Sequence, residues 1–212
     1  MLQTLPFDDH VAEYEEWYEK YPFVFQSEVE AIRELLPKGE NIYGIEVALG
    51  TGRFAEALGI KEGVEPSNNM RRLAIERGVE VRDATADALP YKDNKFDFVL
   101  MAFCISYFDD LHAAFKEASR VLKNGGLLIV GFIDKESPIG ILYEARKPYS
   151  LFYKSANFYS VDKITNELKR AGFRDLSYSQ TLFHNLDEIK ETEQAKTGFG
   201  EGSFVIIKAK KR

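Results

Sequence analysis

From Ile42 onward, apolar runs of strand length alternate with amphipathic runs of helix length. This rhythm is that of an α/β fold built on a largely parallel sheet. Ile42–Leu49 reads as a buried strand, broken by Gly50-Thr51-Gly52, with a short helix beginning at Phe54–Leu58. Gly63-Val64-Glu65 is a second, brief strand. Pro66-Ser67 then opens a helix with Ser67 as N-cap, with Met70, Leu73 and Ala74 on one face and Gly78 at the C′ position. Val79–Arg82 and Phe96–Phe103 are the third and fourth strands, the latter long and apolar enough to be central. Leu111–Leu122 is amphipathic at helical spacing, and Asn124-Gly125-Gly126 is expected to stop it. Leu127–Ile133 is a fifth strand, and Val161–Ala171 a further helix ending at Gly172. Leu176–Phe183 and Ser203–Ala209 have no helix pattern between them, which predicts an antiparallel pair at the sheet edge. The expectation is a seven-stranded, mostly parallel sheet with an antiparallel edge strand and helices on both faces.

Two regions stand outside the alternation. Residues 8–37 are helical in pattern and acidic at their start, and residues 134–159 are dense in aromatics: Tyr143, Tyr149, Phe152, Tyr153, Phe158 and Tyr159. With 212 residues, one domain spanning 1–212 is expected. A chain of this size buries roughly 70% of its unfolded surface and needs no staple. Cys104 is the only cysteine, which rules out an internal disulfide. His10, His112 and His184 lack ligand spacing, so no metal site is expected. Lys and Arg number 28 against 34 acids, a net charge of −6, which argues against a nucleic-acid groove. The basic tail (Lys208, Lys210, Lys211, Arg212) reads as a solvated terminus. The amino terminus has no basic start and no long apolar stretch, so it does not read as a leader. No run approaches the ~18 apolar residues of a membrane helix. A cytoplasmic location without membrane or nucleic-acid partners is the expectation, and nothing in the sequence selects an oligomeric state.

The chemistry-bearing block is Glu46-Val47-Ala48-Leu49-Gly50-Thr51-Gly52-Arg53, directly after a strand and opening a helix. Glycines there let the backbone turn tightly and come close to a ligand. The same turn also serves as a plain strand-to-helix connection. Glu65, at the end of the second strand, is placed to accept both hydroxyls of a ribose, or is an exposed loop carboxylate. Together the two features describe a nucleoside-binding α/β domain.

At this point the chain resembles the class I S-adenosylmethionine-dependent methyltransferases, and most of all the small-molecule branch that includes the ubiquinone and menaquinone C-methyltransferases. Four ordered blocks carry the resemblance: Glu46–Gly52, Val64–Ser67, Ala84–Tyr91, and Phe96-Asp97 through Glu117, Arg120 and Gly125-Gly126. Ser160–Asp162 through Ala171–Phe173 is similar to the helix that precedes the edge strands in that family. The likeness runs roughly from Phe7 to Lys210. It implies a Rossmann-like fold, S-adenosyl-L-methionine as cofactor, and a small-molecule acceptor.

Carried onto these positions, the resemblance implies that the backbone of Ala48, Gly50, Thr51 and Gly52 lies under the methionine portion. Glu46 holds that region, and Arg53 reaches the carboxylate. Glu65 takes the ribose hydroxyls, with Pro66 and Ser67 beside the adenine. The Ala86 amide bonds a ring nitrogen and Thr85 faces the exocyclic amine. Ala102 and Phe103 lie by the sulfonium. Tyr14 and Trp17 match a helix that closes over the cofactor, a lid of about residues 8–37, although they equally suit the apolar face of a docked helix. Residues 134–159 then form a cap. Ala48 stands where the family's first glycine is usual, an exchange that a negative φ would tolerate. Thr85 replaces the commoner acid, the short stretch from Gly52 to Glu65 implies a trimmed first helix, and Ile105-Ser106-Tyr107 occupies a place where relatives often carry histidine.

Methyl transfer from a sulfonium needs alignment and exclusion of water rather than a protonated leaving group. No catalytic triad is expected and no catalytic residue is assigned. Acceptor-side candidates are Tyr14, Tyr18, Tyr107, Tyr143, Arg146 and Tyr149, because small-molecule sites are apolar and aromatic-lined. The acidic amino-terminal region leans toward an amine acceptor by electrostatic steering. Phenolic or quinone-like acceptors, and a cofactor-binding module without turnover, are the competing readings. A nicotinamide dehydrogenase shares the glycine turn and acid but not the later blocks. Cys104 reads as a core thiol and His112 as a surface residue.

Overall fold

The computed structural model describes residues 5–212, excepting the side chain of Leu5. The opening Met1–Thr4, part of the stretch read above as lacking a leader, lies outside them. Among the described residues an eight-stranded sheet runs in the order β3-β2-β1-β4-β5-β8-β6-β7. Its strands are β1 (Gly44–Val47), β2 (Glu62–Val64), β3 (Glu80–Arg82), β4 (Phe96–Ala102), β5 (Leu122–Ile133), β6 (Phe173–Thr181), β7 (Lys196–Thr197) and β8 (Phe204–Lys211). The helices are α1 (Leu5–Asp9), α2 (Val11–Lys20), α3 (Pro22–Leu35), α4 (Arg53–Leu58), α5 (Asn68–Glu76), α6 (Leu111–Val121), α7 (Pro138–Arg146) and α8 (Val161–Arg170).

The seven expected strands are all present, and β1–β5 pair in parallel. The eighth, β7, is two residues long, too short to leave a pattern in the sequence, and pairs antiparallel with β6. The strand β8 is antiparallel to both β5 and β6 and therefore lies between them. Residues alternate across the sheet with the period of a pleat. In β4, Val99 and Met101 face one core, and Phe98, Leu100 and Ala102 face the other. The first core takes the apolar stripes of α6 and α8, the second those of α3 and α4 with Ala74 of α5. Burial on both faces is what the near-continuous apolar runs of parallel strands require.

Local chemistry sets most helix ends as expected. The Ser67 hydroxyl accepts the Met70 amide at 3.3 Å and caps α5, and Gly78 takes φ +81° just past its end. The helix α6 is capped by Asp110, which accepts the Ala113 amide at 3.0 Å. Its other end differs from the sequence reading. Leu122 is already extended, so α6 stops at Val121 and Asn124-Gly125-Gly126 falls within the first part of β5. The shortened α4 has six residues and ends at Gly59 in a left-handed turn. Residues 5–35 and 134–159 meet each other over the carboxyl ends of the strands. There the Phe7 ring stacks on Phe152 at 5.4 Å and meets Tyr107 edge-on at 4.9 Å.

Candidate functional site

β1 lies between β2 and β4, both parallel to it, and the strand order reverses there, with β2 and β3 on one side and β4 and β5 on the other. Such a switch point opens a crevice for ligands. The loop there is held by the Gly52 amide donating to the Leu49 carbonyl at 2.9 Å and by the Leu49 amide donating to Val64 at 3.1 Å. Gly50 has φ +57° and Gly52 φ +81°. A Cβ on Gly52 would lie 3.0 Å from Ala74 Cβ, so the missing side chain lets α5 press against the loop. Ala48 also takes a left-handed conformation, with φ +52°. The expectation of a negative φ at this substituted glycine is therefore overturned: the tight turn demands αL, and Ala48 adopts it at a cost of about 1–2 kcal/mol.

Glu65 is buried, and its two oxygens are oriented separately. Oε1 accepts the Ser67 amide and Oε2 the Gly50 amide, each at 2.8 Å. Burial pushes its carboxyl up to about 7, against the opposing pull of those two amides and Arg71. Each oxygen keeps an acceptor site beyond the one in use. Beside it, the Ser67 hydroxyl donates to Asp8 Oδ1 at 2.6 Å, and the Asn69 side-chain amide donates to the Asp8 carbonyl at 2.9 Å. These bonds dock α1 onto the start of α5.

Four residues of the first block stand behind this surface. Glu46 is fully buried, its carboxyl pushed up by burial and its Oε2 without a hydrogen-bond partner among the described residues. Thr51 is buried, and its carbonyl accepts from Arg77 at 2.6 Å. Gly52 backs onto α5. Arg53 is engaged by Glu15 of α2 rather than turned to open solvent.

In front of the loop lies one cavity of about 810 Å³, in the upper part of the ~300–1,000 Å³ range of small-molecule sites. Ala48, Gly50, Glu65, Pro66 and Ser67 form one end of its wall, continued by Thr85 and Ala86. The Thr85 hydroxyl is turned to Asp87. Ala102 and Phe103 follow at the end of β4, Phe103 with φ +60° and its ring stacked 4.7 Å from Phe204. The other end is aromatic. Tyr14, Trp17 and Tyr18 come from α2, and Tyr14 and Tyr18 share a hydroxyl–hydroxyl bond of 2.8 Å. Tyr107, Tyr143 and Arg146 also line it. Burial raises the phenols of Tyr14, Tyr18, Tyr107 and Tyr143, keeping them neutral. Tyr149 is 91% exposed and stands outside the cavity. Cys104 is buried on the wall, its thiol pushed up by burial.

Phe7 and Glu28 are among the wall residues that the sequence did not single out. Phe7 falls just ahead of the region taken as a lid. Glu28 interrupts the buried stripe Val24, Ala31, Ile32 of α3, and that interruption is the signal that a helical projection would have exposed. The wall carries seven acids, Glu13, Glu16, Glu28, Glu65, Asp87, Asp109 and Asp110, against Lys20 and Arg146. Among the described residues no group of three His, Cys, Asp or Glu side chains is placed to hold a metal, and no helix is long and apolar enough to cross a membrane.

Residues 45–130 match a family model described as a methyltransferase domain. A crystal structure from Thermotoga maritima, described as an S-adenosylmethionine-dependent methyltransferase and possible histamine N-methyltransferase, superposes with a TM-score of 0.96. It is 46% identical, over 99% of this chain and 100% of the other. An uncharacterized protein of Methanocaldococcus jannaschii is 40% identical over 97% of this chain and 98% of its own. The ubiquinone/menaquinone biosynthesis C-methyltransferase of Sinorhizobium fredii is 35% identical, covering 79% of this chain and 68% of that protein.

Proposed function

Because the chain belongs to the class I S-adenosylmethionine-dependent methyltransferases, we propose that it methylates a small amine held in the aromatic end of the cavity. The enzyme's cofactor is S-adenosyl-L-methionine, and the residues present fit it. The backbone at Gly50 passes the cavity with no Cβ in the way, and the two oxygens of Glu65 are fixed by backbone amides with acceptor capacity to spare. In this reading Glu65 takes the ribose hydroxyls. Ser67, Thr85 and Ala86 flank the adenine, and Ala48 and Gly50 run beneath the amino-acid tail. Glu46, Thr51 and Gly52 shape that loop from behind, and Arg53 acts through Glu15. Bound there, the cofactor would supply a methyl group on a sulfonium whose leaving group is neutral, and the accepting nitrogen attacks in its unprotonated form, its proton having been given up to solvent beforehand.

The protein's own contribution is alignment and dryness. The α1 and α2 helices cover the crevice, pinned through Asp8 to α5 and through Glu15 to Arg53 and Arg77. Tyr14, Trp17, Tyr18, Phe152 and Phe158 exclude water around the acceptor and limit its orientations. The buried phenols stay protonated and serve as hydrogen-bond donors rather than bases.

The observation that carries the amine reading is the charge of the wall: besides Glu28 and Glu65, whose carboxyls burial pushes up, it carries five acids against two bases. Such a field concentrates cations and repels carboxylates. The Thermotoga maritima protein, described as a possible histamine N-methyltransferase, supports the same acceptor class. Calorimetry with S-adenosylmethionine and S-adenosylhomocysteine, with Glu65→Ala as control, tests the cofactor arm. The variant is expected to bind about 1–3 kcal/mol more weakly, the scale of a charged hydrogen bond. A methylation panel of amines, catechols and carboxylates tests the acceptor arm, and turnover of carboxylates alone would overturn it.

A further inference from the structure

We infer that Glu28 is the specificity-determining anchor of the acceptor subsite, a carboxylate that takes the cationic or N–H-bearing group of a small organic amine. The inference rests on the amine reading above and deepens it to a named residue.

Glu28 lies one turn from Val24 and one turn from Ile32 on the inward stripe of α3, where Ala31 is also buried. The residue is 1% exposed, and its Oε2 has no hydrogen-bond partner among the described residues. A carboxylate buried without a partner costs several kcal/mol, so such groups are paired, neutralised or turned to a ligand. Among the described residues no arginine, lysine or histidine forms an ion pair with it, whereas the buried acids Glu62 and Glu167 each have basic partners. The carboxylate instead lies on the wall of the large cavity.

Three phenols interact with it. Tyr18 of α2 and the stacked pair Tyr143–Tyr153, whose rings are 4.8 Å apart, interact electrostatically with Glu28. Phe158 packs edge-on to Tyr153 at 5.5 Å. Aromatic rings on the same wall as a single acid favour a cation twice over, through their π systems and through the charge. Burial drives the Glu28 carboxyl well above its ordinary range, and a bound cation opposes that drive. Tyr18 interacts electrostatically with Glu28, and its hydroxyl bonds to that of Tyr14, which interacts with Glu65, so the two tyrosines link the Glu28 part of the wall to the Glu65 end. The acid therefore grips the acceptor by its charge instead of meeting the cofactor end directly, which makes it a binding residue and not a base.

The test uses the full chain saturated with S-adenosylhomocysteine and three probes, phenethylamine, tyramine and histamine, with 2-phenylethanol as the uncharged control. Wild type is expected to bind at least one amine more tightly than the alcohol. Glu28→Gln is expected to lose roughly 30-fold or more of that affinity, with binding of S-adenosylhomocysteine unchanged and the melting temperature equal or higher. Glu28→Asp should recover part of the loss. If an amine is turned over, the loss should appear in KM rather than kcat. Equal amine binding by wild type and Glu28→Gln would overturn the role of Glu28 while leaving the amine reading intact. Preference of wild type for the alcohol, or no binding of any amine, would overturn both. Should Glu28→Gln unfold, Glu28→Leu takes its place, and retained amine binding in that variant would sink the proposal.

Discussion

Glu15 of α2 receives the Nε of Arg53 at 3.0 Å, and its same oxygen is shared with the guanidinium of Arg77. The α2 helix is thereby tied to the start of α4, which follows the β1 loop, and to the end of α5. Burial pushes the Glu15 carboxyl up, but the hydrogen bonds from Arg53 and Arg77 outweigh it and hold the acid below its ordinary range. A depressed acid contributes stability above its unfolded value near 4.5, lost as pH falls through the folded value. The α2 helix should therefore loosen in acid before the sheet does. Glu15→Ala should cost about 1–3 kcal/mol, between exposed and buried pairs. Hydrogen exchange should show faster opening of Val11–Lys20 with β4 and β5 unchanged. Unchanged exchange in α2 would refute the tie.

Glu65 behaves in the opposite sense. Its folded value of about 7 lies above the unfolded 4.5, so the native state holds a proton that the unfolded state has released. Stability from this group is fully present below 4.5 and falls as pH rises to 7, by about 3 kcal/mol in all. Cofactor affinity should run the other way, because ribose hydroxyls donate best to the ionised form. Binding should tighten toward a tenfold gain per pH unit below 7 and level off above it. Calorimetry in buffers of different ionisation enthalpy should register proton release. Constant affinity from pH 5.5 to 8.5 would refute this.

Ala48 carries αL strain that a glycine would not. Ala48→Gly removes about 1–2 kcal/mol of strain and adds about 0.5–1 kcal/mol of unfolded-chain entropy. Its melting temperature should be unchanged or higher, unlike most core truncations. Ala48→Val should lose about 2 kcal/mol or more, since a β-branched residue resists φ +52°. A clear loss in Ala48→Gly would mean that the methyl group's packing outweighs the strain.

Gly52→Ala should harm both the fold and the site. The added Cβ meets Ala74 Cβ at 3.0 Å and the Ala74 Cα at 3.1 Å, with φ at +81°. Left-handed strain and overpacking together cost about 2–4 kcal/mol. Pushing α5 from the loop should also displace Ser67 and Glu65, so cofactor affinity should fall with stability. Thermal unfolding and calorimetry on the same preparation would separate the two losses.

Much of the frame was legible because it follows from short-range rules. Ser67 as a cap, Gly78 as a helix stop and the apolar run Phe96–Ala102 as a central strand are local patterns that the tertiary structure had no reason to override. The end of α6 was misplaced because the double glycine advertised a stop, while Leu122 was drawn into the ladder beside Phe96 two residues earlier. The strand β7 was invisible since two residues have no periodicity. Arg53 looked free to reach a ligand because its partner, Glu15, is distant in sequence. Tyr149 looked like a wall residue because an aromatic cluster does not reveal which ring turns outward.

By itself the sequence determined that strands and helices alternate, that a glycine turn follows the first strand, and that an acid closes the second. These are matters of local sterics, capping and apolar period, and they carry the family. Tertiary structure alone decided which acids meet which partners. It bonded Glu65 to two backbone amides and Glu15 to two arginines, and it left Glu28 Oε2 without a hydrogen-bond partner among the described residues. The physical reason is that a carboxylate's state depends on what is within a few ångströms in space, and the chain brings those groups together only when α2, α3 and the segment after β5 close over the sheet.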